Sequence, residues 1–291
     1  MRAVASIVAI ATILAGAGEV AAQVTPRPIP RLRFNGFVDV PITLGLSSIY
    51  GVSELAVKAR LAPRAPYWDD RDTNGADILA PLDRLATRLR WHSPRTAGLI
   101  SDGGLALSMA SAIGVGAGAG AFDHDTPAHV AENSIIVLEA MSTAMTMNQI
   151  TKFFAGRQRP CAHFGLDKDR PCFSDGSDNN LSSFSGHATF TTSLAVASGM
   201  VATMRHYRLA PLVWASGAFI AVSTSYLRLA ADKHYLSDVV TGTVIGAAVG
   251  FFIPYLFHGP RAEIPAATES HAGSATSSLR SAPLFSVSGT W

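Results

Sequence analysis

Apolar positions along the chain gather into five long stretches, at about 97–121, 133–153, 188–204, 210–227 and 237–257, built largely from Ala, Gly, Ser and Val. Each approaches the roughly 17–25 residues that a helix needs to cross a bilayer. Small side chains let neighbouring helices come close, as they do inside membranes. Asp102, Glu139 and Pro254 interrupt these stretches, and 188–204 opens with three threonines, so a buried soluble bundle fits the same pattern. Ahead of them, Ile78, Leu82, Leu85 and Leu89 are spaced three to four apart, which predicts an amphipathic helix over 77–90. Residues 24–35, rich in Pro and Arg, predict an extended lead-in, and 36–75 shows no clean period. Thr126 followed by Pro127 marks a helix start, with the threonine as N-cap. Beyond 259 the chain turns to Ala, Ser, Thr, Pro and Glu, which predicts a disordered tail over 259–291. The pattern as a whole predicts an all-α helical bundle with five or six membrane-spanning helices.

Composition sharpens this picture. Hydrophobic residues make up 48% of the 291 positions and charged ones 15%, against about 25% charged in an average soluble chain. A net charge of +2, with no long Lys/Arg run, argues against a nucleic-acid partner. The N-terminus reads as an export signal: Met1-Arg2, an apolar run over 3–18, then Val20 and Ala22 at the small-residue spacing that a signal peptidase accepts. Residues 1–22 are thus a cleaved signal peptide or an uncleaved signal anchor, and either way the next segment starts outside the cytoplasm. Segment 23–96 then reads as an N-terminal periplasmic part and 97–258 as the helical domain. In an oxidising compartment Cys161 and Cys172, the chain's two cysteines, are expected to form a disulfide. Closing that short loop removes about 3 kcal/mol of chain entropy from the unfolded state. A metal site at the cysteines is the weaker reading, because His163 alone does not complete a tetrahedral set.

Three polar clusters border the apolar stretches: Lys152 with Arg159-Pro160; Ser185-Gly186-His187; and Arg228, His234 and Asp238. Each alone has a plain explanation, as a snorkelling helix end, a capped first turn or a solvated side chain. Together they make an anion site. Lys152, Arg159 and Arg228 supply fixed positive charge, the arginines in bidentate form. Ser185-Gly186 at a helix start offers a hydroxyl and unbonded N–H groups. His234 and Asp238, four apart, share a face if helical, so the carboxylate would hold one imidazole nitrogen and leave the other to attack. His187 remains to donate a proton.

This three-block pattern resembles the type 2 phosphatidic acid phosphatase family, PAP2, which includes bacterial non-specific acid phosphatases and vanadium haloperoxidases. The family pattern is Lys, six residues, Arg-Pro; then Pro-Ser-Gly-His; then Ser-Arg, five residues, His, three residues, Asp. Here "KFFAGRQRP" matches the first block, "FSGH" the second except for Phe184 in place of Pro, and "LRLAADKHYLSD" the third except for Leu227 in place of Ser. Neither departure touches a charge or a proton carrier. A second Arg-Pro-Cys at 170–172 lacks the lysine, its equivalent position being His163.

The resemblance implies a PAP2-type bundle and two-step hydrolysis of a phosphomonoester. His234 attacks phosphorus, His187 protonates the leaving alcohol, and Lys152, Arg159, Ser185, Gly186 and Arg228 hold the phosphoryl oxygens. It implies no metal or other cofactor. The partners it implies are a phosphorylated lipid or small phosphomonoester, and the membrane. Topological parity brings the three clusters to one face, with Arg205 and Arg208 at the cytoplasmic side, as positive charge prefers. The acidic 122–132 loop on that same side gives the orientation no support. The expectation is a bacterial-type inner-membrane enzyme with a periplasmic site. Its rivals are a soluble periplasmic acid phosphatase and a vanadium-dependent haloperoxidase.

Overall fold

The computed structural model describes residues 28–165 and 178–261 of the chain. Its regular elements are helices: α1 (Gly36–Leu61), α2 (Pro81–Ala86), α3 (Pro94–Phe122), α4 (Pro127–Ala155), α5 (Pro160–His163), α6 (Gly186–Met204), α7 (Ala210–Ala230) and α8 (Leu236–Phe257). Other backbone pairing, among the described residues, is confined to isolated bridges such as Leu32 with Pro260. The fold is all-α, as the apolar pattern predicts. The signal region, the second Arg-Pro-Cys with Cys172 and its expected disulfide to Cys161, and the tail from 262 onward lie outside the described residues.

α6 is the central element, packed against α3, α4, α7 and α8. It is rich in buried hydroxyls, which would be costly in a bundle core if unsatisfied. Most turn back on the helix: Thr189 Oγ1 donates to the Ser185 carbonyl at 2.8 Å, and Thr191 Oγ1 to that of His187 at 2.9 Å. Close packing comes from glycine. Gly242, Gly246 and Gly250 line one face of α8 at four-residue spacing, against α6. A Cβ on them would fall 2.6–2.7 Å from the carbonyl oxygens of Ser185, Thr189 and Ser193. The two backbones therefore touch, which is the small-residue packing expected from the composition.

Around this core, α1, α3, α7 and α8 are each long and apolar enough to cross a membrane. Their outer faces carry exposed large side chains, among them Phe37, Leu55, Phe219, Val222 and Val244. An apolar surface of that kind suits lipid rather than water. The expected spans at 133–153 and 188–204 are α4 and α6, inner helices of more polar composition that fall outside this set of four. Thr126 caps α4 through a hydrogen bond from His129 N at 3.3 Å, with Pro127 in the first turn, as predicted.

Two regions differ from expectation. The stretch read as having no period contains α1, whose apolar residues surround the helix and mostly stay exposed. With one side on α4 and the rest on lipid, no polar face is needed and no period appears. In 77–90 only α2 and one short turn at Thr87–Leu89 are helical, and the predicted apolar face points outward. Leu79, Asp83 and Ala86 go in instead, because Asp83 is drawn to a buried arginine described below.

At the end of the bundle where α3 meets α4 and α6 meets α7, opposite charges close the structure. Arg205 Nη2 donates to Glu132 at 2.8 Å, Arg208 Nε lies 3.1 Å from Asp123, and Tyr207 Oη donates to Asp125 at 2.5 Å. The acidic 122–132 loop is thus the partner of the basic 205–208 turn. Burial first, and then that hydrogen bond, hold the Tyr207 phenol well above its usual range.

The glycine contacts carry a prediction. Gly246→Leu should separate α8 from α6 and lower the melting temperature in detergent, overpacking costing about 1–3 kcal/mol or more. Gly103→Leu, on an open face of α3, should leave it unchanged. Equal melting of both variants and the parent would refute the packing account.

Candidate active site

The site begins where α4 ends. Gly156 closes the helix with φ +53°, and a Cβ there would fall 2.7 Å from the Tyr67 ring, so both the backbone sign and the neighbour require glycine. The chain then runs extended beside Trp68, with Gln158 N donating to the Trp68 carbonyl at 3.3 Å. Arg159 becomes the N-cap residue of α5.

Between them Arg157 is fully buried. Its nitrogens donate to Asp70 at 3.0 Å, Asp83 at 3.0 Å, Asp238 at 2.9 Å and Ser237 Oγ at 2.8 Å. Trp68 and Tyr235 cover its plane at 4.4 and 4.1 Å. Burial alone would lower its pKa, but Asp238 first, then Asp70 and Asp83, outweigh that and raise it.

Asp238 passes this order on to His234. Ser182 Oγ donates to Asp238 Oδ2 at 2.5 Å, and the Ser182 carbonyl lies 2.9 Å from His234 Nδ1. A carbonyl accepts only, so Nδ1 carries the hydrogen and Nε2 presents its lone pair. Nε2 faces Arg159 Nη1 at 3.0 Å. This corrects the expected direct contact between His234 and Asp238. His234 precedes α8, whose N-cap is Tyr235, so the helical four-residue rule does not reach it. Asp238 acts through Ser182 and accepts from Tyr235 N at 3.1 Å.

The other wall is the start of α6. Gly186 and His187 line the cavity, and a Cβ on Gly186 would meet Lys152 Nζ and Asn148 Oδ1 at 3.0 Å each. The glycine is what lets the lysine reach the helix start. Ser185, expected to hold phosphate, is turned inward: it is fully buried, faces Ala188 N at 3.5 Å as the N-cap, and is not part of the cavity wall. From α7, Arg228 Nη1 donates to Ser101 Oγ at 2.9 Å, while its Nε is buried with no partner among the described residues. His187 Nε2 lies 2.8 Å from Asp102 Oδ1 and 3.4 Å from Arg228 Nη1.

These groups surround a cavity of about 180 Å³ whose wall includes Lys152, Arg159, Arg228, His187 and His234. Five of the predicted site residues therefore converge, together with Gly186. Burial first, then Arg159, Arg228 and Lys152, hold the His234 imidazole well below its usual pKa, so the ring is a neutral base. Tyr50, Leu105, Met145 and Phe190 give the cavity an apolar side.

Several participants escaped the sequence reading. Asp102 was seen only as a charge interrupting an apolar stretch, which was the signal for it. Glu54 and Lys58 form a 2.5 Å ion pair four residues apart on α1, another charged pair inside an apolar run. Asp178 sits on both Arg159 Nη2 at 3.0 Å and Lys58 at 3.2 Å, and nothing in its polar loop sequence marks it. Burial would raise the Asp178 carboxyl, but Arg159, Lys152 and Lys58 hold it well below the carboxylate range. Each carboxylate on or beside the cavity is already matched with a base, so the wall is arranged for an anion.

Comparison with known proteins matches part of the chain to one family. Among curated proteins none matches the chain. Of solved structures, the first transmembrane PAP2-type phosphatidylglycerolphosphate phosphatase from Bacillus subtilis is similar at 16% identity and a TM-score of 0.42, covering 75% of this chain and 94% of that one. The family model of the PAP2 superfamily matches residues 133–261, which contain all three polar blocks. Residues 133–261 therefore match the PAP2 superfamily, the family whose pattern the three blocks resemble.

Proposed function

We propose that this protein is a membrane phosphatase that hydrolyses lipid-borne phosphomonoesters or diphosphates through a phosphohistidine at His234. The observation that carries the reading is the fixed tautomer of His234, whose Nε2 lone pair faces a cavity walled by Lys152, Arg159 and Arg228. In this reading Nε2 attacks phosphorus and the P–O bond to the alcohol breaks. Lys152, Arg159, Arg228 and the backbone at Gly186 take the charge on the remaining oxygens. His187 gives its proton to the departing oxygen, then takes one from the water that cleaves the P–N bond. Asp102 stabilises the protonated form of His187. Phosphate leaves and His234 returns neutral.

Lipid substrates are favoured by the apolar side of the cavity, formed from α1, α3, α4 and α6, two of which are candidate spans. An outward-facing site is supported by Arg205 and Arg208 at the opposite end of the bundle. It fits a bacterial-type inner membrane with the site on the periplasmic side. A disulfide between Cys161 and Cys172 would staple the loop beside Arg159.

Phosphate release by the purified protein, across a panel of lipid phosphates and soluble monoesters, should favour lipids by at least about tenfold in kcat/KM, roughly 1.4 kcal/mol. Equal turnover would transfer the reading to a general acid phosphatase. His234→Ala should lose activity by about 10³-fold or more and leave no acid-labile phosphoprotein, whereas full turnover would end the phosphohistidine proposal.

The pH profile follows from the depressed His234 pKa. Activity needs the neutral ring, so the acidic limb should lie well below pH 6.5 and move upward in Arg159→Gln, which removes one neighbouring cation. A limb near 6.5 in the parent would contradict this. Asp102→Asn should lower kcat with little change in KM, by less than the about 10²–10⁴-fold of losing the proton donor itself.

A further inference from the structure

A second polar cluster lies far from the phosphate cavity. On α1, Asp39 stands fifteen residues before Glu54 of the cavity wall, about 22 Å along a helix axis. There one ligand atom from each of Asp39, Glu139 and His258 lies within 4.8 Å of the others. The three come from the first turn of α1, the interior of α4 and the residue just past α8. All are enclosed, with side-chain exposures of 13%, 9% and 3%.

The hydrogen bonding leaves this cluster incomplete. His258 Nδ1 lies 2.9 Å from the Arg33 carbonyl, so Nδ1 carries a hydrogen and Nε2 is the nitrogen turned toward the carboxylates. Nε2 faces Glu139 Oε2 at 3.4 Å, and both atoms are buried without a hydrogen-bond partner among the described residues. An imidazole nitrogen and a carboxylate oxygen rest this close in a protein interior only with something positive between them, a proton or a metal ion. Their spacing is that of two ligands on a tetrahedral ion with bonds of about 2.0–2.1 Å. The imidazole anchored by a carbonyl through its far nitrogen is also the usual outer partner of a metal-bound histidine. Two carboxylates and a neutral imidazole sum to a double negative charge, which a divalent cation balances.

We infer that Asp39, Glu139 and His258 form a binding site for a divalent transition-metal ion, with zinc the best fit to one imidazole and two carboxylates. The ion has a structural role. The segments it joins are already laced by backbone bonds, Arg33 N to Gly259 O at 3.1 Å and Arg261 N to Arg31 O at 2.8 Å, with Arg33 Nη2 on Leu256 O at 2.8 Å. Metal at this point fastens the start of α1 and the end of α8 to α4. A shared proton between His258 and Glu139 is the competing occupant, and it needs no metal.

The test uses the full-length protein in detergent, stripped with a chelator and titrated with Zn²⁺ against a competing indicator. One Zn²⁺ should bind per chain and raise the melting temperature. Glu139→Gln and His258→Gln should each lose affinity by at least the about 10–100-fold seen on removing outer partners of a metal ligand. Exposed His92→Gln should bind as the parent does. Failure of the parent to bind Zn²⁺, or undiminished binding in both variants, overturns the site in favour of the shared proton. If the variants do not fold, X-ray absorption at the zinc edge of the parent decides: one imidazole with oxygen ligands supports the site, and several imidazoles or sulfur overturn it.

Discussion

The structure depends on one buried cation. Arg157 holds three carboxylates from distant parts of the chain, Asp70 and Asp83 before the bundle core and Asp238 in α8, inside a sleeve of Trp68 and Tyr235. Taking one guanidinium and three carboxylates out of water is expensive, and it is repaid only when every donor finds an acceptor. Here each nitrogen does, so the cluster fixes geometry that apolar packing alone would leave loose. Losing the arginine would strand three buried carboxylates, a disruption of about 3–5 kcal/mol or more. The outward flip of α2 follows from the same demand, since Asp83 must face in and its apolar neighbours consequently face out.

From Arg157 the order spreads to the chemistry. Asp238 is fixed by the arginine, Ser182 by Asp238, and His234 by the Ser182 carbonyl. Each step removes one freedom: a rotamer, a loop position, then a tautomer. The imidazole nitrogen left free is therefore chosen by a group three links removed from it. Packing supports the relay from below, because the glycines of α8 bring Asp238 against the start of α6, where Ser185 N donates to the Asp238 carbonyl at 2.9 Å.

What could be read in the sequence was what chemistry constrains by type and spacing. Lys152, Arg159, His187, Arg228 and His234 had to be those residues at those intervals, and the structure gathers them on one cavity. The helical core was legible through its small residues, and the α4 start through Thr126 and Pro127. Lipid contact erased the period of α1, since a helix bathed in apolar surroundings needs no polar side. Asp238 was read with the geometry of a helix that begins only after His234. Arg157 was passed over because, between two residues of a motif, nothing in its spacing announces three partners more than seventy positions away.

The cavity also shows how a site rich in cations stays folded before substrate arrives. Arg159 and Lys58 are held by Asp178, and Arg159 also donates to the Lys233 carbonyl at 2.9 Å. The carboxylate of Asp178 is thus an internal anion, lying on the cation that a phosphoryl oxygen would use. A phosphate bound as proposed would compete with it and with the His234 lone pair for Arg159. In the proposed reaction a phosphate dianion would meet Lys152 and Arg228 on the same cavity wall. Arg159's existing partners, Asp178 and the His234 Nε2 lone pair, thus set what an incoming oxyanion would have to displace in that reaction.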